Sequence, residues 1–392
     1  MTAFDAKNEA LRPALMEQIQ LERLQALLAR LKRNVRRYRE QLGEAQVGCL
    51  EDLRRLPFTS PADLIDAFPY GMFALPLREV KRLHSTVGPA GRPLVVGYTT
   101  NDLRHWGRLA ARQLVSAGVT PNDVVQICFE SGVFEQSFGY VTAAEQIGAP
   151  VIPEDPVHIE YQLEVLRNYR TTVLVTTPTN AIELVALLAA RRIDPQSLHL
   201  RNVLLSRPIE ARLKNEIGVG LFAGVRCTFG IPEIMDPGLC VECEYGHLHT
   251  NEDHFLVEIH DGELVITTLC REAMPLLRYR TRLACTAVRE ECPCGRTGII
   301  LHPGARLDGQ LRINEIPVYE AQIAQVLAKT RAAGQPFRLD ISERGVSIDI
   351  AVSHEFFGDQ MRILANLRIE IEAEFLARLG IQAKVRYVSA LD

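Results

Sequence analysis

The chain lacks nearly everything that marks a membrane, secreted or nucleic-acid-binding protein. No apolar run approaches the roughly 20 residues of a membrane span. Lysine and arginine (44) nearly cancel aspartate and glutamate (48), for a net charge of −4. No basic field is therefore present to hold a nucleic acid. The opening Met1-Thr2-Ala3-Phe4-Asp5 has no basic stretch followed by an apolar one, so no signal peptide is read there. Internal repeats and low-complexity segments are absent. Cysteine is present, but its nine copies are an odd number. Cys49, Cys128, Cys227, Cys270 and Cys285 are scattered through apolar surroundings, which reads as buried reduced thiols rather than a disulfide framework. The expectation is a cytoplasmic protein with neither a nucleic acid nor a membrane as partner.

What is present is length and apolar content: 392 residues, 47% of them hydrophobic, enough for two or three domains. Leucines at helical spacing predict a helix from about Leu11 to Leu42, with a basic far end read as a solvated face. Ser60-Pro61-Ala62-Asp63 is a capped helix start. From Asn101 to Pro208, helical patterns alternate with short apolar runs such as Val124–Phe129, Thr172–Thr176 and Val203–Leu205. That alternation predicts α/β layers around a largely parallel sheet. After Thr228 strands dominate, with a turn at Asp261-Gly262. The turn-rich stretch from His302 to Gly309 is read as a boundary, giving a large domain over 1–304 and a small α+β domain over 305–392. The order β-α-β-β-α-β is expected in the latter, with loose packing and freedom to rotate.

The chemistry concentrates between Thr228 and Arg296. Cys292-x-Cys294 before Gly295 sets two sulfurs on one tight turn, and Cys243 and His249 lie six residues apart upstream. Cys243, His249, Cys292 and Cys294 would make a closed shell for structural zinc. Cys240-x-x-Cys243 offers a rival set of four cysteines, and inert thiols are the plain alternative. Glu233 lies in a Gly/Pro turn five residues after Thr228, where a carboxylate can meet Mg2+ beside phosphate oxygens. A second Gly/Pro turn, Thr86-Val87-Gly88-Pro89-Ala90-Gly91-Arg92-Pro93, can present backbone N–H groups to phosphates. The same residues also suit an ordinary hairpin.

Several stretches together resemble the phenylacetate–CoA ligase branch of the adenylate-forming (ANL) enzymes. They are Pro57-Phe58-Thr59-Ser60-Pro61-Ala62-Asp63-Leu64, Phe68-Pro69-Tyr70-Gly71-Met72-Phe73-Ala74, the run from Pro93 to Asp102, Phe229-Gly230-Ile231-Pro232-Glu233-Ile234-Met235, and the run from Ala273 to Arg282. The resemblance extends from about Leu21 to Gln322. It implies a large N-terminal domain that binds nucleotide and acid, and a small C-terminal domain that swings between half-reactions. It implies ATP with Mg2+, a carboxylic acid activated as its adenylate, and a thiol acceptor such as CoA; a homodimer is compatible with it. Carried over by position, Glu233, Arg92 and Arg306 would be catalytic. Thr86, Gly88, Gly91, Phe229, Gly230, Ile231 and Arg278 would face the nucleotide. Phe129, Gly132, Phe134, Gly139 and Tyr140 match the acyl pocket in spacing. The resemblance also favours the zinc set containing His249 over the all-cysteine one.

The departures are specific. The family's phosphate loop reads Ser-Ser-Gly-Thr-Thr-Gly-Lys-Pro; here Val87, Pro89 and Ala90 remove three hydroxyls, and Arg92 replaces the lysine. Leu283 stands where an aspartate would hold the ribose. Leu205-Ser206-Arg207-Pro208 replaces Gly-Ala-Glu-Pro, and Glu135 and Gln136 replace small residues in the acyl pocket. The hinge is reduced to Ala305-Arg306-Leu307-Asp308-Gly309, and the late lysine of the adenylation loop is missing. Two readings follow: an adenylate-forming acid ligase with relaxed motifs, or a pseudo-ligase that keeps the fold as a binding protein.

Overall fold

The computed structural model describes residues 2–88, 92–129, 136–154, 158–313, 316–342, 345–351 and 361–388. Gly91, Gly132 and Phe134 lie outside the described residues. The chain forms two units: Met1–Thr86 with Pro93–Leu307, and Val87–Arg92 with Asp308–Asp392. Among the described residues no helix is long and apolar enough to cross a membrane.

The first unit opens with α1 (Ala6–Glu9), α2 (Pro13–Asn34) and α3 (Arg36–Leu42). The single helix expected from Leu11 to Leu42 begins at Pro13 and breaks at Val35, whose φ of −111° and ψ of 113° are extended. Leu24, Leu27, Leu28 and Leu31 form its buried stripe. Next come α4 (Pro61–Asp66), the two-stranded sheet of β1 (Arg82–Val87) and β2 (Pro93–Tyr98), and α5 (Thr100–Ser116). A capping box fixes the start of α5. The Thr99 hydroxyl accepts from the Asp102 N–H (3.0 Å), and the Asp102 carboxylate accepts from the Thr99 N–H (2.9 Å).

The alternating region then forms β3 (Val125–Cys128), α6 (Gln136–Ile147), β4 (Val151–Glu154), α7 (Ile159–Asn168), β5 (Val173–Thr176), α8 (Pro178–Arg191), β6 (Asn202–Leu205), α9 (Ala211–Leu221) and β7 (Gly224–Cys227). Its five strands pair in parallel in the order β4-β3-β5-β6-β7. The inner strands β3 and β5 are buried at every position because helices cover both faces. The chain runs from β3 outward to β4 and then returns to the other side of β3. This makes β3 and β5 the switch point of the sheet, and in open α/β sheets ligands bind outside the carboxyl ends of the strands there.

A six-stranded antiparallel sheet follows, with strands β8 (Cys240–Glu242), β9 (Leu248–Thr250), β10 (Phe255–His260), β11 (Glu263–Thr268), β12 (Tyr279–Val288) and β13 (Ile300–Arg306), in the order β10-β11-β12-β13-β9-β8. The turn between β10 and β11 uses positive φ at both Asp261 (50°) and Gly262 (77°), as a two-residue hairpin requires. Strand β13 passes through Gly304, where the sequence suggested a boundary.

The second unit has its own core, including Ile323, Val326, Ile348, Ile350, Ile371 and Phe375. Its elements are β14 (Gln310–Ile313), β15 (Ile316–Tyr319), α10 (Glu320–Leu327), β16 (Phe337–Ser342), β17 (Gly345–Ala351), α11 (Met361–Leu379) and β18 (Ala383–Val388). The expected β-α-β-β-α-β order is present from β15 onward. However, β15 pairs with β14, and the main sheet has three strands, β16-β17-β18. The fold class is mixed α/β with a parallel sheet in the large part and a small α+β part.

In the first unit, α5 is joined to the segment before β10 by a buried ion network. The Arg112 guanidinium donates to both Asp253 carboxylate oxygens (2.8 and 2.7 Å), to Asn251 Oδ1 (2.9 Å) and to Asp5 Oδ2 (3.1 Å). Burial pushes the Asp253 carboxyl upward. The His254 charge and the Arg112 hydrogen bonds outweigh that and hold it well below the usual carboxylate value. Arg112→Met leaves the buried Asp253 carboxylate with only His254 beside it (3.1 Å), and should destabilise the fold by about 3–5 kcal/mol at neutral pH. A carboxyl depressed in the folded state contributes stability above its unfolded value of about 3.9, and loses it as pH falls through the lower folded value. The gap between wild type and variant in urea unfolding should therefore narrow below about pH 4. A gap that stays constant down to about pH 2.5 would show that packing, not charge, is what Arg112 contributes.

Candidate active site and metal cluster

The carboxyl ends of the parallel strands lie in register: Cys128 opposite Thr176, Thr176 opposite Leu205, and Leu205 opposite Cys227. Side chains tie this edge together. Thr176 Oγ1 donates to Cys128 O (3.3 Å) and accepts from Asn180 Nδ2 (2.6 Å). Ser206 N donates to Thr176 O (2.9 Å), and both the N–H and hydroxyl of Thr228 donate to Leu205 O (2.9 and 3.0 Å). The Phe229-Gly230-Ile231 segment leaves directly from this edge, after β7. Ile231 O accepts from Ile234 N (2.8 Å) and Met235 N (3.1 Å), which closes a tight turn around half-buried Glu233. Gly230 is required by a close approach: a Cβ there would lie 2.3 Å from Asp236 Oδ1 and 2.7 Å from Asp236 Cα.

Three of the acyl-pocket residues come together beside this turn. The Phe129 and Tyr140 rings stack 6.2 Å apart, and both are buried. A Cβ on Gly139 would meet Trp106 Nε1 at 2.8 Å, so Gly139 lets α6 press against α5. Tyr140 donates its hydroxyl to Gln113 Oε1 (2.9 Å), and burial pushes its phenol well above the ordinary value. Gln136, the first residue of α6, donates its amide N–H to Asp236 Oδ2.

The nucleotide-facing residues fare unevenly. Thr86 lies in β1, and Gly88 donates its N–H to the Arg92 carbonyl (2.8 Å) across the turn. Arg306 ends β13 opposite Leu283. Leu283, 8% exposed, belongs to the large hydrophobic core with Cys285 and Leu301. Arg278 requires a correction. It is buried, and it donates to both Glu258 oxygens (3.0 and 2.9 Å) and to the carbonyls of Arg54 (2.9 Å) and Leu56 (2.6 Å). Its guanidinium also lies 4.0 Å over the Phe58 ring. Donors committed in this way are not available to a nucleotide; Arg278 braces the end of the antiparallel sheet instead.

The four metal-site residues are brought together from two distant turns. Gly246 N donates to Cys243 O (3.0 Å) and Gly295 N to Cys292 O (2.9 Å), and both glycines take positive φ, 80° and 81°. His249 projects from β9. The ligand atoms of Cys243, His249, Cys292 and Cys294 all lie within 4.8 Å of one another, and all four residues are buried. The Cys243 and Cys292 sulfurs are 3.9 Å apart, and Cys294 Sγ is 3.4 Å from His249 Nε2. A tetrahedron with zinc–sulfur bonds of about 2.3 Å has sulfur–sulfur edges of about 3.8 Å, so this donor set fits a tetrahedral metal. His249 Nδ1 sits 3.1 Å from Gly298 O, which assigns that nitrogen the proton and leaves the Nε2 lone pair facing the cluster. Burial lowers the His249 pKa, keeping the ring neutral at pH 7. Burial also raises the thiols of Cys243 and Cys292, the latter to about 12; a bound cation would reverse that.

Cys240 is not part of the cluster. It is fully buried, with its sulfur 4.0 Å from Thr250 Oγ1. The sulfur-only alternative therefore has no geometric basis. Of the scattered thiols, Cys128, Cys227 and Cys285 are buried as expected, whereas Cys49 is exposed and Cys270 half-buried. Sequence reasoning missed Arg296. Its N–H donates to Cys294 Sγ (3.4 Å), and its buried guanidinium pairs with Glu9 (3.0 Å) and donates to Thr2 O (2.8 Å). Thr297 adds contacts to Glu9 O (3.2 Å) and Leu11 O (2.7 Å). The N-terminal arm is thereby fastened to the turn that carries two of the sulfurs.

No family model matches the chain. It is 35% identical over 400 residues to the phenylacetate-coenzyme A ligase of Thermus thermophilus, covering 96% of this chain and 86% of that one. It is 30% identical over 412 residues to the Escherichia coli enzyme of the same name, covering 95% and 91%. Among solved structures it resembles a 2-hydroxyisobutyryl-CoA ligase in complex with 2-HIB-AMP and CoA, with a TM-score of 0.86 at 22% identity over 97% of this chain and 88% of that one. That last likeness speaks to the fold.

Removing one member of the Arg296–Glu9 pair leaves the other charge buried. Arg296→Ala should destabilise the first unit by about 3–5 kcal/mol. It should also expose residues before Pro13 to limited proteolysis under conditions where the wild-type arm resists. Equal cleavage of both proteins would show that the arm is held by other contacts.

Proposed function

Because the chain belongs to the phenylacetate–CoA ligase family of adenylate-forming enzymes, we propose that it activates a carboxylic acid with ATP and passes the acyl group to the thiol of CoA. In the first step a carboxylate oxygen of the acid attacks the α-phosphorus of ATP and pyrophosphate leaves. In the second the thiol sulfur attacks the acyl carbonyl, its proton is lost, and AMP leaves. The observation that best supports this reading is the Glu233 turn, which departs from the carboxyl end of β7, on the same edge of the sheet as the carboxyl ends of the switch-point strands β3 and β5. On this reading Glu233 holds Mg2+ beside the nucleotide phosphates, and the ion supplies charge neutralisation there. Phe229, Gly230 and Ile231 border the nucleotide. By the family resemblance Arg92 and the backbone of Thr86 and Gly88 are assigned to the phosphates, and Arg306, the last residue of β13, to the nucleotide. Phe129, Gly139 and Tyr140 border the acid. The pseudo-ligase alternative finds no support among the relatives.

The lost hydroxyls of the phosphate loop bear on rate. One good transition-state donor is worth about 10²–10³-fold, so turnover should be slow while remaining dependent on the acid. The test is pyrophosphate release with a panel of carboxylic acids, with and without CoA. Glu233→Gln should lower the rate by about 10²-fold or more. If no acid elicits pyrophosphate and calorimetry detects neither ATP nor AMP, the ligase reading fails.

We also propose that Cys243, His249, Cys292 and Cys294 hold one structural zinc, clipping the turn after β8 to the turn before β13. Four protein ligands leave no open position, so the ion takes no part in the reaction. Protein purified without added zinc should carry about one equivalent. Cys294→Ser should lose most of it and melt at lower temperature, because metal binding stabilises the fold. Unchanged zinc content in that variant would remove this assignment.

A further inference from the structure

The first residue of α6 carries a polar arrangement that a plain aryl or alkyl acid leaves unexplained. Gln136 is 6% exposed. Its amide nitrogen donates to Asp236 Oδ2, and among the described residues its carbonyl Oε1 has no partner. The orientation of the amide follows from chemistry: an ionised carboxylate only accepts, so the NH2 end must face Asp236 and the oxygen must face away. Asp236 itself is held in place. Its backbone carbonyl accepts from the Trp106 indole (2.9 Å), and its carboxylate packs against Gly230 at a distance that excludes any side chain there. The Trp106 N–H serves Asp236 O and the Tyr140 hydroxyl serves Gln113 Oε1, so neither of these donors serves Gln136 Oε1. Gln136 opens α6, the helix that follows the switch-point strand β3 in the chain.

A buried acceptor without a donor destabilises a fold unless something bound there supplies one. We infer that the acid taken by this site carries a hydroxyl or amino group on its acyl portion, which donates to Gln136 Oε1, so that Gln136 selects donor-bearing acids over their unsubstituted counterparts. The pairing has a definite sign. Gln136 Oε1 accepts, and so does the Asp236 carboxylate beside it; a ligand offering only a carbonyl or ether oxygen would bring acceptor against acceptor. The inference rests on the ligase reading for the presence of an acid, and deepens it by naming the acid's class.

The test uses matched probes on the full chain. Phenylacetate is compared with its hydroxy and amino derivatives, and butyrate with its hydroxy derivatives, by calorimetry and by pyrophosphate release. The expected result is that one donor-bearing member of a pair binds at least about tenfold more tightly than its parent. In Gln136→Gly that preference should fall to within about twofold. Gln136→Met, which keeps the length of the side chain but not the acceptor, should do the same if the glycine variant fails to fold. Binding of a donor-bearing acid without pyrophosphate release would uphold the inference while overturning the ligase reading. Pyrophosphate release from parent and derivative alike would do the reverse. A preference that survives in both variants, or no binding of any acid, would overturn the inference.

Discussion

The buried face of α5 is the constraint on which the rest of the large unit depends. Four of its side chains reach the segment between the Glu233 turn and β10. Trp106 donates to Asp236 O, Gln113 to the carbonyls of Pro237 and Cys240, Ser116 to Glu242 O, and Arg112 to Asn251 and Asp253. That segment leaves the parallel sheet and enters the antiparallel one, so its backbone cannot satisfy itself in one continuous ladder. Buried carbonyls without donors would each cost about 1–3 kcal/mol. The polar residues of α5 supply those donors. Their reach fixes where Glu233 stands relative to the strand ends and where Cys243 stands relative to Cys292.

Much of this was legible in the sequence, for identifiable reasons. Strands and helices of the parallel layer follow from periodicity, and the helix from Ile159 to Asn168 has those bounds in the structure. Short-range chemistry was legible too: the Cys292-x-Cys294 turn before Gly295 and the Cys243–His249 spacing suggested one ligand set, and the four side chains do come together. What could not be read was the use of polar residues at long range. Arg278 sits in a motif that suggests a ligand contact, yet Glu258, twenty residues upstream, and the carbonyls of Arg54 and Leu56 claim its donors. Cys240 shares a Cys-x-x-Cys spacing with Cys243, but strand alternation turns its sulfur toward Thr250. The break at Val35 is likewise tertiary, because no proline or glycine marks it and Val35 is buried at 1% exposure.

The departures from the family's nucleotide motifs now have a physical distribution. The segment after the Glu233 turn is held by buried donors from α5, whereas the loop matching the family's phosphate loop lacks hydroxyls at Val87, Pro89 and Ala90. Leu283 is not a neutral vacancy in the ribose contact. It lies in the main core, opposite Arg306, so the position now contributes apolar burial rather than a hydrogen-bonding carboxylate. A carboxylate there would have to be desolvated or paired with Arg306.

These changes act on the two substrates unequally. On the proposed reading the residues matching the phosphate and ribose contacts offer fewer hydrogen bonds, while Gln136 and Asp236 form a buried pair whose Gln136 Oε1 faces away from Asp236. In a two-substrate reaction, binding energy from remote parts of one substrate can support positioning at the reacting centre. A polar anchor on the acid would hold its carboxylate at the strand ends even where the nucleotide is gripped less firmly. The cost is breadth: a site whose buried acceptor must be matched rejects acids that lack the donor, because the mismatch leaves that acceptor unpaired. On the proposed reading, weak nucleotide recognition and narrow acid recognition would be two sides of one arrangement, set by which polar atoms near the edge of the parallel sheet are satisfied by the fold and which are left for a ligand.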